Sequence, residues 1–309
     1  GVSTAPDHGN TITTLLRSAN QAMQHSKTLV GSNLTEYSEE LFSSVNRQIE
    51  LERDLSAAIE NNELFLVYQP KQHVKSRRIE GVEALARWHH PRLGYVPPLE
   101  FVGIAEEAGL ARALGNAVLK QAVYQLEKWS ELGLQLSIAV NISPAQIMHP
   151  EFVSDIKYAL SLADIDPTLL ELEITESIMI GNHHHIDEAI AQVRGLGVRI
   201  AIDDFGTGYS SLSYIRKFTV DTLKLDATFI SDIESSSQST GIIDALMMLA
   251  HTLNLEVVAE GVETASQMLI LNTLGCDYIQ GNYLSRPVSA EQVEHLSMVI
   301  NLEADKLEE

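Results

Sequence analysis

Nine polar residues stand at or near the ends of short β-like runs: Glu83, Asn141, Glu173, Asp203, Asp204, Lys224, Asp226, Glu260 and Gln280. Six of them are carboxylates. Gathering these without cations is strongly unfavourable, because like charges raise each other's pKa values. Oxygen donors in this number suit hard cations such as Mg2+ or Mn2+. Two such ions, about 3.5–4 Å apart, can clamp both oxygens of an in-line phosphoryl displacement. A lysine among them can orient or deprotonate the attacking water. The adjacent pair Asp203–Asp204 is informative, since neighbours in a regular strand point to opposite faces. The pair lies where DFGTGYSS begins, and Gly206 and Gly208 permit a turn that brings both inward. Taken alone, the pair reads equally well as a solvated acidic turn.

The elements that must position these residues begin at residue 64. LFLVYQP, EGVEALARW, LQLSIAVNIS, LLELEITE, VRIAIDDF, VDTLKLD, LEVVAEG and CDYIQG alternate mainly with helical stretches. Eight strand–helix units in about 240 residues are the arithmetic of a TIM-type (β/α)8 barrel. Parity adds detail. Leu136, Ile138, Val140 and Ile142 share one strand face, against Ser137, Ala139 and Asn141. Leu170, Leu172 and Ile174 oppose Glu171, Glu173 and Thr175. Val198, Ile200 and Ile202 oppose Arg199, Ala201 and Asp203. Leu223 and Leu225 oppose Thr222, Lys224 and Asp226. Each strand thus has an apolar face for a helical ring. Its other face becomes polar towards the carboxyl end, where barrel enzymes place their sites.

The remainder of the chain bounds the answer. Its 309 residues, 45% apolar, can build one large barrel core plus a smaller piece. Residues 1–50 differ from the rest. TITTLLRSANQAMQHSK places Ile12, Leu15, Leu16, Ala19, Ala22 and Met23 at helical spacing, and VNRQIELERDLSAAIENNE does the same with Val45, Ile49, Leu55 and Ile59. The division expected is a helical extension over 1–50, the barrel over 51–300 and a tail over 301–309. Acidic residues outnumber basic ones 42 to 21, for a formal charge of -21. That surface argues against a nucleic-acid polymer or an anionic membrane as partner. The single Cys276 excludes an intrachain disulfide and fits a reducing compartment. No apolar stretch approaches a membrane span and no signal peptide is visible.

The motifs also resemble a family. YQP (68–70), EALARW (83–88), NIS (141–143), EITES (173–177), DDFGTGYSSL (203–212), KLD (224–226), AEGVE (259–263) and QG (280–281) with SRP (285–287) are similar, in order and spacing, to those of EAL-domain cyclic di-GMP phosphodiesterases. The resemblance covers about residues 52–300 and implies the EAL form of the barrel, with the direction of the first strand left open between antiparallel and parallel. It implies that Glu83, Asn141, Glu173 and Asp203 hold one metal, and that Asp203, Asp204, Asp226 and Glu260 hold a second. It implies catalytic roles for Lys224, Glu83 and Glu260, and substrate contacts from Gln69, Leu85, Arg87, Glu263 and Gln280. Glu176 would brace the loop after Asp204. The implied cofactors are two Mg2+ or Mn2+, with Ca2+ inhibitory. The implied reaction is hydrolysis of cyclic di-GMP to linear pGpG, by a homodimer in the bacterial cytoplasm, with anchoring of the parent protein in the inner membrane left open. LLRSANQAMQHSK and NLTEYSEEL resemble the closing helix and strand of a GGDEF domain, whose signature is absent.

Two other functions compete. A catalytically silent cyclic di-GMP receptor would bind without turnover. An unrelated metal-dependent barrel enzyme, acting for instance on an enolisable carboxylate, would explain the acids and lysine but not the motif order. Other features have plainer readings: His183, His184 and His185 as a solvated loop, Met247 and Met248 as core, Trp88 and Trp129 as packing, and Cys276 as a buried thiol.

Overall fold

In a computed structural model of the chain, residues 1–28, 34–61, 63–179, 184–206 and 220–308 are described. Two compact units emerge: residues 1–61 with 99–110, and residues 62–98 with 111–309. In the first unit, α1 (Ile12–Thr28) and α2 (Glu39–Glu60) are the helices expected from the spacing. Ala22, Leu51, Leu55 and Ala58 are buried, whereas Ile12, Leu16 and Ile49 are exposed. Helical spacing therefore located the helices but not every buried position.

The second unit is a closed barrel. β1 (Leu64–His73) is followed by β2 (Ile79–His90) and a short hairpin strand, β3 (Gly94–Val96). α3 (Pro98–Glu107) belongs to the first unit, where Arg47 grips Glu100 through two hydrogen bonds of 2.6 and 3.0 Å. α4 (Ala111–Glu131), β4 (Ser137–Ile142), α5 (Pro144–Ile147), α6 (Phe152–Leu160), β5 (Leu170–Thr175), α7 (Glu176–Met179), α8 (His184–Arg194) and β6 (Arg199–Phe205) follow. β7 (Thr222–Leu225), α9 (Ala227–Ser231), α10 (Ser237–Thr252), β8 (Glu256–Ala259), α11 (Ala265–Thr273), β9 (Tyr278–Gln280) and α12 (Ala290–Glu308) complete it. α12 runs on past residue 300. The sheet order β1-β9-β8-β7-β6-β5-β4-β2 closes through a β1–β2 pairing. β1 is antiparallel to both neighbours, which resolves its open direction, and the remaining barrel pairs are parallel.

The parity argument holds in three dimensions. Ile138, Val140, Ile142, Leu170, Leu172, Ile174, Ile200, Ile202, Leu223 and Leu225 join one buried cluster with helix residues such as Leu119, Leu126, Ile156, Ile190 and Ile243. Burying an aliphatic side chain contributes about 1.5–3 kcal/mol, so a one-residue slip of any of these strands is heavily disfavoured. That fixed register is what aims the polar faces inward. Among the described residues, no helix is long and apolar enough to cross a membrane.

Candidate metal centre

Register brings the acids together. Gln69 pairs with Glu83 across β1–β2, Asn141 with Glu173 across β4–β5, and Thr175 with Asp203 across β5–β6. Lys224, on β7, is 1% exposed. Its ammonium lies 2.8 Å from Glu173, 2.7 Å from Glu260, 3.2 Å from Asp203 and 3.7 Å from Glu83. Glu83 accepts hydrogen bonds from Asn141 at 2.7 Å and from Gln280 at 2.6 Å. Gln280 also donates to Gln69 at 3.1 Å. Gly281 makes this placement possible: a Cβ there would lie 2.2 Å from the Val262 carbonyl oxygen. Only glycine lets the end of β9 approach the segment after β8 so closely.

Asp203 and Asp204 do turn together. The β6–β7 register shifts between Ile202 and Phe205, and Asp204 itself takes a left-handed backbone, φ 55°. Gly206 follows at φ 92°. The Asp204 N–H donates to the Asp203 carboxylate at 3.0 Å. Donor atoms of Asp203, Asp204 and Glu260 lie within 4.8 Å of one another. Asp226 stands one residue beyond β7 and caps α9, accepting from the Thr228 N–H at 2.9 Å. Glu176 is buried and accepts from the Gly206 N–H at 3.0 Å, at the foot of the following loop. Residues 207–212 of that motif, and His183, lie outside the described residues.

The expected substrate residues are placed less uniformly. Gln69 and Gln280 are joined to the acid cluster, as given above. Leu85 and Arg87 lie on the same strand face as Glu83, both half-buried, and Arg87 donates to the Ala86 carbonyl. Glu263 is exposed, and its N–H is held by Gln267.

Electrostatics shows a site short of positive charge. Burial, reinforced by Glu83 and Asp203 and only partly countered by Lys224, drives Glu173 well above the carboxylate range. Burial, with Asp203 and Glu83, lifts Glu260 to about 7. Burial and Asp203 also raise Asp204. Glu83 moves the other way: its burial is outweighed by Lys224, Gln280 and Asn141. Lys224 is itself buried, yet the surrounding acids hold it as an ammonium. Both Glu173 oxygens are buried with no hydrogen-bond partner beyond the Lys224 ion pair. Such carboxylate oxygens beside a three-carboxylate cluster are a donor set that fits hard divalent cations.

Sequence reasoning passed over a second polar layer at the opposite, N-terminal end of the barrel. Lys71 and Glu171 form a buried ion pair of 2.7 Å there. Glu171 also accepts from Thr222 at 2.7 Å and from Arg199 at 3.4 Å. Parity had already placed Glu171, Arg199 and Thr222 on the inward faces, which was the available signal. Beneath them opens a cavity of about 780 Å³, bounded by Lys71, Glu171, Arg78, Tyr278 and α12 residues such as Asn301.

A closed α/β barrel with carboxylates and a lysine gathered at its strand ends defines a class: barrel proteins whose site lies on the carboxyl rim. Within it, the chain belongs to the EAL domain family, whose model matches residues 52–287. The signalling protein YkoW of Bacillus subtilis is 39% identical over 294 residues, 95% of this chain and 37% of its own. The bifunctional diguanylate cyclase/cyclic di-GMP phosphodiesterase MucR of Pseudomonas aeruginosa is 38% identical over 95% of this chain and 43% of its own. The cyclic di-GMP phosphodiesterase PdeR of Escherichia coli is 35% identical over 95% and 44%. The chain thus spans less than half the length of these curated relatives. Among solved structures, the PaMucR phosphodiesterase in complex with c-di-GMP superposes with a TM-score of 0.75 at 41% identity, covering 79% of this chain and 99% of that one. The EAL domain of FimX from Pseudomonas aeruginosa bound to c-di-GMP gives 0.71 at 27% identity, over 78% and 96%.

Proposed function

We propose that the barrel hydrolyses cyclic di-GMP to linear pGpG, using two Mg2+ or Mn2+ ions. The observation that carries this is the set of four carboxylates around Lys224, with the buried Glu173 oxygens given no hydrogen bond beyond the Lys224 ion pair, in a chain matching named cyclic di-GMP phosphodiesterases along most of its length. Glu83, Asn141, Glu173 and Asp203 would hold one ion; Asp203, Asp204, Asp226 and Glu260 the other. Bound there, the ions would supply an activated water and neutralise charge on the phosphoryl oxygens during in-line attack.

The protein's own residues divide the remaining work. Lys224 stays cationic among the acids, aligned to orient the nucleophile. Gln280 and Asn141 fix the Glu83 carboxylate by donating to it, so that its geometry is set before metal binds. Gln69, Leu85, Arg87, Glu263 and Gln280 form the proposed substrate wall, where an arginine fork suits a phosphate or a guanine edge. Glu176 braces the start of the loop after β6. By family likeness, the active form is a homodimer through the EAL domain. Residues 1–50 are read as the closing piece of a GGDEF-like domain, supported by a MucR match of 294 residues that extends beyond the EAL region.

Chromatography of protein mixed with cyclic di-GMP and Mg2+ tests the reading. Appearance of pGpG supports hydrolysis. Binding of the dinucleotide without product would assign the chain to silent receptors instead.

A further inference from the structure

Among the described residues, two buried lysines, Lys71 and Lys224, reach into this acidic barrel, and Lys224 is the one that faces the rim acids directly. Lys71 enters from β1 and is 5% exposed. Its stem passes over Gly81, where a Cβ would meet the Lys71 Cε at 3.2 Å and the Ser137 Oγ at 2.3 Å. The missing side chain leaves the lysine room to reach Glu171, on β5. Glu171 is 2% exposed and anchored from the other side by Thr222 and Arg199. Two residues further along the same strand stands Glu173, whose buried oxygens have no hydrogen-bond partner beyond the Lys224 ion pair. Lys71 is near enough for its charge to favour the anionic forms of both Glu83 and Glu173.

An ammonium on a flexible stem, released at this point, would be drawn towards those two carboxylates, where Glu173 is held only by its ion pair with Lys224. We propose that Glu171 is a positioning residue for the metal centre: it holds the Lys71 ammonium at the barrel floor, so that the lysine does not compete with a divalent cation for Glu83 and Glu173. The inference rests on the metal-site reading above and extends it to residues that touch neither metal nor substrate. The pair is net neutral, so it closes the floor without adding charge to the site. Cutting either half exposes the other, with opposite consequences for a bound cation.

The test is a titration with Mn2+, following free ion by electron paramagnetic resonance, alongside a thermal melt of each variant. Glu171→Gln keeps the acceptor for Thr222 but frees the lysine. It should raise the apparent Kd for Mn2+ by about tenfold or more, the scale of one unit charge acting across a few ångströms of protein. Lys71→Met removes the competitor and leaves an extra anion, so its Kd should equal that of wild type or fall. The double variant should return to within about threefold of wild type, as coupled charges do in a mutant cycle. A packing defect would instead weaken Mn2+ binding in all three, and that result overturns the proposal, as does an unchanged Kd in Glu171→Gln. Should Glu171→Gln fail to fold, weaker binding in Lys71→Met or in the double variant overturns it equally. Wild-type protein that takes up no Mn2+ would sink the metal-site reading itself, and this inference with it.

Discussion

Asp204 shows how much one residue contributes. Its left-handed backbone lets two consecutive acids face the same site. Gly206 and Gly208 had been expected to provide that turn, yet the first bend falls on the aspartate. A short polar side chain makes this region accessible where a bulkier residue would clash. Substituting Asp204 separates its two roles. Asp204→Gly keeps the backbone and loses the carboxylate; Asp204→Ala loses the carboxylate and adds strain. Both should lose turnover, and denaturant melts should find the alanine variant less stable by about 1 kcal/mol. Glu83→Gln tests a ligand with little change of volume. Turnover should fall by at least about a hundredfold, the scale of a metal's contribution to charge stabilisation, with a melting temperature near wild type. A Glu83→Gln protein with near-normal turnover would remove Glu83 from the metal set.

At the level of elements, alternation made β4 to β7 legible. Hydrophobic and polar residues separate cleanly along LLELEIT and LSIAVNI, because one face packs on helices and the other faces the barrel axis. Asn141, Glu173, Asp203 and Asp226 followed from that alternation, whereas Glu83 and Glu260 were placed by their positions at or near other strand ends. The floor layer did not, for an identifiable reason. The β-like run LFLVYQP stops at Pro70, one residue short of Lys71. The strand instead continues to His73, and so carries Lys71 into the barrel. Strand direction was equally hidden: side-chain parity is the same whether β1 runs parallel or antiparallel. The three-residue β3 is too short to show a period. The strength of the legible part can be measured. Leu172 is fully buried in the core cluster, so Leu172→Ala should cost about 2–5 kcal/mol in a denaturant melt. A cost below that range would show that the β5 face is less tightly packed than the structure indicates.

The whole molecule carries a formal charge of -21, and its barrel gathers part of that charge internally. The consequence is a dependence of stability on pH and on metal. Glu260, lifted to about 7, binds its proton more tightly in the folded state than in the unfolded one. Its stabilising contribution is complete below its ordinary pKa and is lost as pH rises through about 7. Glu171 works in the opposite sense. Burial opposes its charge, but Lys71, Thr222 and Arg199 bring it down to about 2, so its contribution holds above the usual carboxylate range and fades towards that value. Metal-free protein should therefore melt higher at about pH 6 than at about pH 8. Divalent metal competes with the Glu260 proton, so Mn2+ should raise the melting temperature more at the higher pH. An equal gain at both would contradict the placement of Glu260 in the metal set.

The most direct measurement is the conversion of cyclic di-GMP, followed by chromatography with Mg2+ or Mn2+ present and then chelated, in wild-type and Glu83→Gln protein. The account predicts pGpG from the wild type with metal, and none after chelation or from the variant. Product that forms equally well in chelator, or dinucleotide that binds tightly yet stays intact with either metal, would contradict it.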